Sequence, residues 1–212
     1  MLPDAIDDYI IDHISPEPPH LTRLFRHTHT THLYPRMCSG HLQGRLLAML
    51  TAMIRPHRVL ELGTFTGYSA LCLAEALPEG GLVHTVEVDD EMEEELLELF
   101  ATAPGGERVE LHIGDALEVI PVIEEDWDLV YIDANKRDYK RYLDLLMPRL
   151  RQGTFIIADN TLWDGKVLDL EKNHDAQTLA LDEFNAYVAR HPRLESVILP
   201  LRDGLTLIRV TE

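Results

Sequence analysis

Two strand-like runs of the 212-residue chain end in carboxylates. "DLVYIDANK" delivers Asp133 with Lys136 three residues on, and "FIIADNTLWDG" delivers Asp159 and Asn160 side by side. Side chains along a strand point alternately to opposite faces, so Asp159 and Asn160 can converge only where the strand bends into its loop. If the two runs are neighbouring strands, their tips lie about 5 Å apart and share one crevice. Two carboxylates brought so close repel unless a proton or a cation sits between them. Two carboxylates and an amide oxygen suit a hard, oxygen-preferring ion such as Mg²⁺, with positions left for water or substrate. The competing reading is a structural one. An Asp after a strand often caps the next helix, and Asp133 could do so for a helix starting near Arg137.

A second set of residues suits a nucleoside. "LELGTFTGYSAL", residues 60–71, opens a strand-to-helix turn with Gly63 and Gly67, whose free amides can receive an anion. Thr64, Phe65 and Thr66 separate the glycines, so the tighter G-x-G-x-x-G pattern of dinucleotide sites is absent and a nicotinamide dehydrogenase is disfavoured. Ser69 could donate to a ligand carboxylate from the helix N-terminus. "HTVEVDD" puts Glu87 at a strand end, where an acid can accept from both ribose hydroxyls. "IGDALE" places Asp115 and Ala116 where an adenine edge would lie. Three successive strand ends thus point to an adenosine-bearing cofactor.

These residues need a frame that collects strand ends. Apolar runs at 58–62, 82–88, 108–113, 128–133 and 154–159 alternate with helical patterns near 67–77, 90–102, 115–124 and 138–150. Such alternation predicts a mostly parallel, doubly wound α/β sheet. Helices at about 3–14, 18–30 and 40–54 precede it, and one at about 175–190 follows. The last runs, 194–200 and 205–210, flank "RDG" and close as an antiparallel hairpin. We expect one domain over 1–212, with 1–56 as an N-terminal helical cap.

Composition narrows the class. Apolar residues make up 45% and charged residues 26%, as in ordinary globular chains. No apolar run approaches the roughly 18 to 20 residues that span a bilayer, and Cys38 and Cys72 stand in no metal or redox spacing. A reduced, cytoplasmic setting without membrane contact is expected. The net charge is −18, yet Pro18–Arg58 holds six arginines and no acid, and 136–151 is also basic. Either stretch could meet an anionic ligand. The acidic run 87–98 reads as a solvated helix face. In "RHTHTTH", His27, His29 and His32 lack a consistent helical face and an acidic helper, so the stretch reads as surface or substrate-facing.

Through "LELGTFTGYSA", "DANK", "DNTLWDGKV" and "DGLTL" the chain resembles the cation-dependent O-methyltransferases of the caffeoyl-CoA and catechol type, from about Met37 to Val210. The resemblance implies a seven-stranded Rossmann-like methyltransferase sheet and S-adenosylmethionine as cofactor. It implies Met37 and Ser39 near the methionine end, Ser69 and Glu87 as carboxylate and ribose ligands, and Asp115 with Ala116 along the adenine. Gly63, Tyr68 and Asp133 belong to the same cofactor surroundings, with Tyr68 and Trp163 either walling the site or simply packed. It further implies Asp133, Asp159 and Asn160 as ligands of Mg²⁺ (or Mn²⁺ or Ca²⁺), and Lys136 with Asp133 in catalysis, Lys136 as general base. Asn135 departs from the family, where a second Asp is common. The implied reaction methylates a hydroxyl of a small catechol-like or hydroxylated aromatic substrate, in a homodimer. The same resemblance offers an alternative, methylation of 5-hydroxyuridine in tRNA, for which the two basic stretches would form a phosphate track. They would serve a coenzyme A phosphate equally well. A cofactor-binding module without catalysis is disfavoured by the intact Asp133, Lys136, Asp159 and Asn160.

Overall fold

The computed structural model describes residues 4–212, with side chains from residue 6 onward; the expected helix start at residue 3 lies outside them. Three helices lead, α1 (Asp4–His13), α2 (Pro19–Thr31) and α3 (Gly40–Ile54). Then follow β1 (Arg58–Leu62), α4 (Tyr68–Glu75), β2 (Leu82–Glu87), α5 (Glu93–Thr102), β3 (Val109–Ile113), α6 (Ala116–Val119) and β4 (Trp127–Ile132). The chain closes with α7 (Tyr139–Leu146), β5 (Leu150–Asp159), α8 (Ala176–Arg190), β6 (Leu194–Leu199) and β7 (Leu205–Val210). The strands form one seven-stranded sheet in the order β3-β2-β1-β4-β5-β7-β6. Pairs β1–β4, β2–β3 and β4–β5 run parallel, whereas β7 is antiparallel to both β5 and β6. The doubly wound sheet with its terminal hairpin is the fold expected.

Several boundaries differ from the expected ones, and those of three elements have a local reason. The helix expected over 115–124 stops at Val119, because Pro121 follows and removes an amide the next turn needs. The helix expected over 138–150 begins with a 3-10 turn at Lys136–Asp138 and ends in another at Met147–Arg149, tightened around Pro148. Strand β5 begins at Leu150 rather than 154. Gly153, at φ +94°, absorbs a bulge, since Trp127 pairs with Leu150 but Leu129 pairs with Phe155.

The chain divides into two compact units. One comprises the described part of Met1–His57 with Thr64–Ile113. Here α3 lies close on α4 because Gly44 has no side chain: an added Cβ would stand 2.8 Å from both Cys72 Sγ and Tyr68 Cε1. Leu96 and Phe100 anchor α5, while Glu93 and Glu94 stay in solvent near its N-terminus, where acids favour the helix dipole. The other unit comprises Arg58–Gly63 and Gly114–Glu212. Its strand β4 and residues 155–158 of β5 are nearly continuous apolar runs, as expected of central strands covered on both faces. Trp127, Tyr131, Tyr139 and Phe184 are its largest fully buried side chains. No helix among the described residues is long and apolar enough to cross a membrane.

Candidate active site

In the second unit, the parallel register of β4 and β5 pairs Ile132 with Ala158. The next residue on each strand is a carboxylate, so Asp133 and Asp159 leave adjacent strands at the same end. Tyr139, fully buried, holds those ends together. Its hydroxyl lies 3.2 Å from the Ile132 carbonyl and 3.0 Å from the Asp159 carbonyl, one proton serving two acceptors. Burial first, and then the charges of Asp133 and Asp159, push the Tyr139 hydroxyl well above its usual range, so it remains a neutral donor.

Asp159 is only 3% exposed. Its Oδ1 accepts from the Asn160 amide at 2.7 Å and its Oδ2 from the Tyr131 hydroxyl at 3.3 Å. Asn160 has φ +58°, a left-handed conformation that Asn tolerates better than most residues. The strand's alternation therefore breaks directly after Asp159, where the polar pair requires it. Lys136 Nζ donates to Asp133 Oδ1 at 2.7 Å and stands 5.4 Å from the centre of the Tyr139 ring. Capping of the following helical turn falls to Asn135, whose Oδ1 accepts from the Arg137 amide and whose Nδ2 donates to Asp138. Asp133 is thus not the cap, and Asn135 is turned to the helix start. Two carboxylates against one ammonium leave a net negative charge, and every donor of the set is oxygen. That chemistry fits a hard divalent cation.

The loop after β5 is fastened by the turn between β6 and β7. The amides of Thr161 and Leu162 donate to Gly204 and Asp203 carbonyls at 3.1 and 2.8 Å. The Asp164 amide reaches Asp203 Oδ1 at 3.1 Å. Gly204, at φ +89°, is required there, since a Cβ would meet Leu162 Cγ at 2.5 Å. These supports and Tyr139 were not singled out from the sequence; the "DG" turn and the matching "DGLTL" motif were the available signal. Trp163 is half-buried, with Lys166 Nζ 5.5 Å from its ring centre. Asp115 caps α6, its Oδ1 accepting from Leu117 N at 2.9 Å, and Ala116 beside it is buried. Gly63, at φ +97°, lets the end of β1 pass the Asp133 carbonyl, which an added Cβ would approach to 2.5 Å.

In the first unit, Glu87 ends β2 and is 8% exposed. Its Oε2 accepts from Phe65 N at 2.7 Å and its Oε1 from Asp89 N at 3.0 Å. Two backbone amides therefore fix the carboxylate, each oxygen keeping a lone pair for a ligand. Thr64 and Thr85 hydroxyls pair at 2.6 Å, and Thr28 donates to Thr66 at 3.0 Å, so the glycine loop is pinned from β2 and α2. Gly67 starts α4 at φ +79°, with Leu99 Cδ2 2.7 Å from where a Cβ would be. Ser69 sits in the first turn of α4 and is nearly buried. Tyr68 opens α4. It is 2% exposed, edge-on to Phe25, and its hydroxyl donates to Glu17. Met37 is exposed in a 3-10 turn, and Ser39, just before α3, is buried.

Several cations of the basic stretches are engaged within the chain. Arg45 grips Glu75 with two bonds of 3.1 and 2.6 Å, and Arg58 Nε lies 3.2 Å from Glu125. Arg141 pairs with Asp138, Lys140 with Asp144 and Arg151 with Asp128. Arg149 donates to the carbonyls of Ile120 and Glu125.

The chain is similar to known proteins along nearly its whole length. The model of the O-methyltransferase family matches residues 11–211. Caffeoyl-CoA O-methyltransferase 2 of Petunia hybrida is 32% identical, over 97% of this chain and 90% of its own. The O-methyltransferase TomG from Streptomyces achromogenes, solved in complex with SAM, superposes with a TM-score of 0.90 at 29% identity, covering 98% of this chain and 96% of that one. An O-methyltransferase from Bacillus cereus in complex with SAH gives 0.90 at 28% identity, covering 98% and 97%. With its sheet order, its polar strand ends and a family match along nearly its whole length, the chain belongs to the O-methyltransferase family.

Proposed function

We propose that the protein is a divalent-cation-dependent O-methyltransferase that takes its methyl group from S-adenosylmethionine. Its substrate would be a small aromatic with two adjacent oxygens, a catechol or a hydroxylated phenylpropanoid ester. The observation that carries this reading is the juxtaposition of Asp133 and Asp159 on paired strand ends with Lys136 Nζ 2.7 Å from Asp133 Oδ1. The curated relatives named for caffeoyl-CoA support the substrate class, and the SAM and SAH complexes of similar structures support the cofactor.

In this reading Asp133, Asp159 and Asn160 hold the cation with oxygen donors. When bound, a divalent cation supplies Lewis acidity that lowers the pKa of a coordinated hydroxyl. Lys136, only in its neutral amine form and not as the ammonium that donates to Asp133, would remove the proton of the attacking hydroxyl, and the oxygen would take the methyl as the carbon–sulfur bond breaks and the sulfur keeps the electron pair. Glu87 receives the ribose hydroxyls and Ser69 the methionine carboxylate. Met37 and Ser39 lie toward the methionine end, Asp115 and Ala116 along the adenine, and Gly63 gives the backbone room to approach. The protein's main contribution is positioning, worth up to about 7–11 kcal/mol in ideal cases.

The deciding experiment combines Asp159→Ala with chelation. The variant should lose methyl transfer yet bind S-adenosylmethionine in calorimetry, and EDTA should silence the wild type. Full activity in EDTA overturns the cation. For the substrate, labelled cofactor is offered with a catechol panel or with bulk tRNA. Label found in tRNA alone overturns the small-molecule reading.

A further inference from the structure

We infer a second metal site, of the nitrogen-rich kind that takes Zn²⁺, formed by His27, His32 and Glu95 between the end of α2 and α5. The acidic helper that the "RHTHTTH" segment lacks comes from α5, far along the chain. His27 Nε2 lies 3.4 Å from Glu95 Oε1, and His32 Nε2 lies 3.2 Å from the same oxygen. All three ligand atoms fall within 4.8 Å of one another. Ligands about 2.0–2.1 Å from a tetrahedral zinc stand roughly 3.3–3.4 Å apart, so two edges of the triad already have the required length.

The surroundings favour a site over a casual ion pair. The His27 and His32 rings are edge-on, 6.1 Å apart at 78°, and both present Nε2 to one carboxylate. The His32 side chain is only 14% exposed and rests edge-on against Phe65 at 5.5 Å, which fixes its ring. His27 and Glu95, at 53% and 41%, leave an open path and a fourth position for water. His29 is not part of the set, since its Nδ1 meets the Phe25 carbonyl and its ring lies tilted against Phe25, 4.0 Å between centres. Two imidazoles and one carboxylate suit Zn²⁺ and its transition-metal neighbours, not Mg²⁺. A second His/Glu triad, His84, Glu110 and His112, serves as internal control. There the rings stack at 18° and hydrogen-bond each other at 3.0 Å, with Glu110 oxygens 3.8 and 3.6 Å away, so the nitrogens face one another.

The test is a calorimetric titration of Zn²⁺ into the full chain with Mg²⁺ in excess. One Zn²⁺ should bind per chain. His32→Gln and Glu95→Gln should each weaken it at least tenfold, since even outer-shell partners are worth about 10- to 100-fold. Asp159→Ala and His112→Gln should leave it unchanged, and circular dichroism melts verify that each variant folds. No binding, binding indifferent to His32→Gln and Glu95→Gln, or binding lost in Asp159→Ala or His112→Gln each overturns the site. Because the readout is zinc alone, its failure leaves the methyltransferase reading untouched, and the reverse also holds.

Discussion

The Tyr139 hydroxyl stands 3.0 Å from the Asp159 carbonyl and 3.2 Å from that of Ile132, so one buried side chain ties the ends of β4 and β5. Removing the oxygen alone, in Tyr139→Phe, keeps the ring against Phe184 but leaves two inward carbonyls short of a donor. The expected cost is about 1–3 kcal/mol in urea unfolding. Methyl transfer should fall as well, with weakened divalent-ion affinity, because the carboxylates ride on the ends that Tyr139 joins. A Phe variant as stable and as active as the parent would show that the strand pairing alone sets the tips.

Gly63 offers a test of the same carboxylate from the other side. At φ +97°, with Asp133 O 2.5 Å from any added Cβ, Gly63→Ala has neither the backbone conformation nor the space it needs. Its clash is with backbone, which cannot swing away as a side chain can. We expect a loss exceeding about 1 kcal/mol in thermal or urea unfolding and a marked fall in kcat as the Asp133 segment shifts. Wild-type melting together with wild-type kcat in G63A would mean that the loop yields at no cost.

Much of this arrangement was legible in the chain. "DLVYID" and "TFIIAD" are apolar runs of matching length that each stop at an Asp, and paired parallel strands put those stops together. The abrupt end of apolar character after Asp159 marked the bend that Asn160 makes at φ +58°. What escaped were contacts made across the fold. His27 and His32 look unassisted because Glu95 joins them only when α2 and α5 fold beside each other. Tyr139 reads as one more apolar helix position, and its hydroxyl acquires a role only from the strand ends above it. The capping role that Asp133 could have filled passes to Asn135, two residues nearer the turn, since its short side chain reaches the Arg137 amide. Helix lengths were overestimated where apolar spacing ran on past Pro121 and Pro148, whose rings limit the helix before the pattern ends.

Glu87 gives the cofactor assignment a sharp probe. Its two oxygens each accept a backbone amide, from Phe65 and Asp89. Glu87→Gln replaces one acceptor with a donor, so one of the two backbone amides, that of Phe65 or that of Asp89, meets an N–H instead of an oxygen. The charge available to ribose hydroxyls disappears too. Hydrogen bonds to charged groups are worth about 1.5–3 kcal/mol, so S-adenosylmethionine binding should weaken by roughly 10- to 150-fold in calorimetry. Unchanged affinity would remove Glu87 from the site.

A pH effect follows from His112 on β3. Burial holds its imidazole below the ordinary 6.5, and the nearby Glu110 offsets this only in part. Its Nε2 shares a hydrogen bond with His84 Nδ1 at 3.0 Å, which requires one of the two nitrogens to be unprotonated. The unfolded chain therefore binds a proton more readily than the folded one, and stability must rise with pH across the interval between the two pKa values. Full stability is present above pH 6.5 and drains away as the pH falls from there toward the lowered folded value. His20, likewise lowered chiefly by burial, acts in the same direction. His112→Gln should consequently flatten, without abolishing, the decline in melting temperature below pH 6.5. Parallel curves for variant and parent over that range would place the proton-linked step elsewhere.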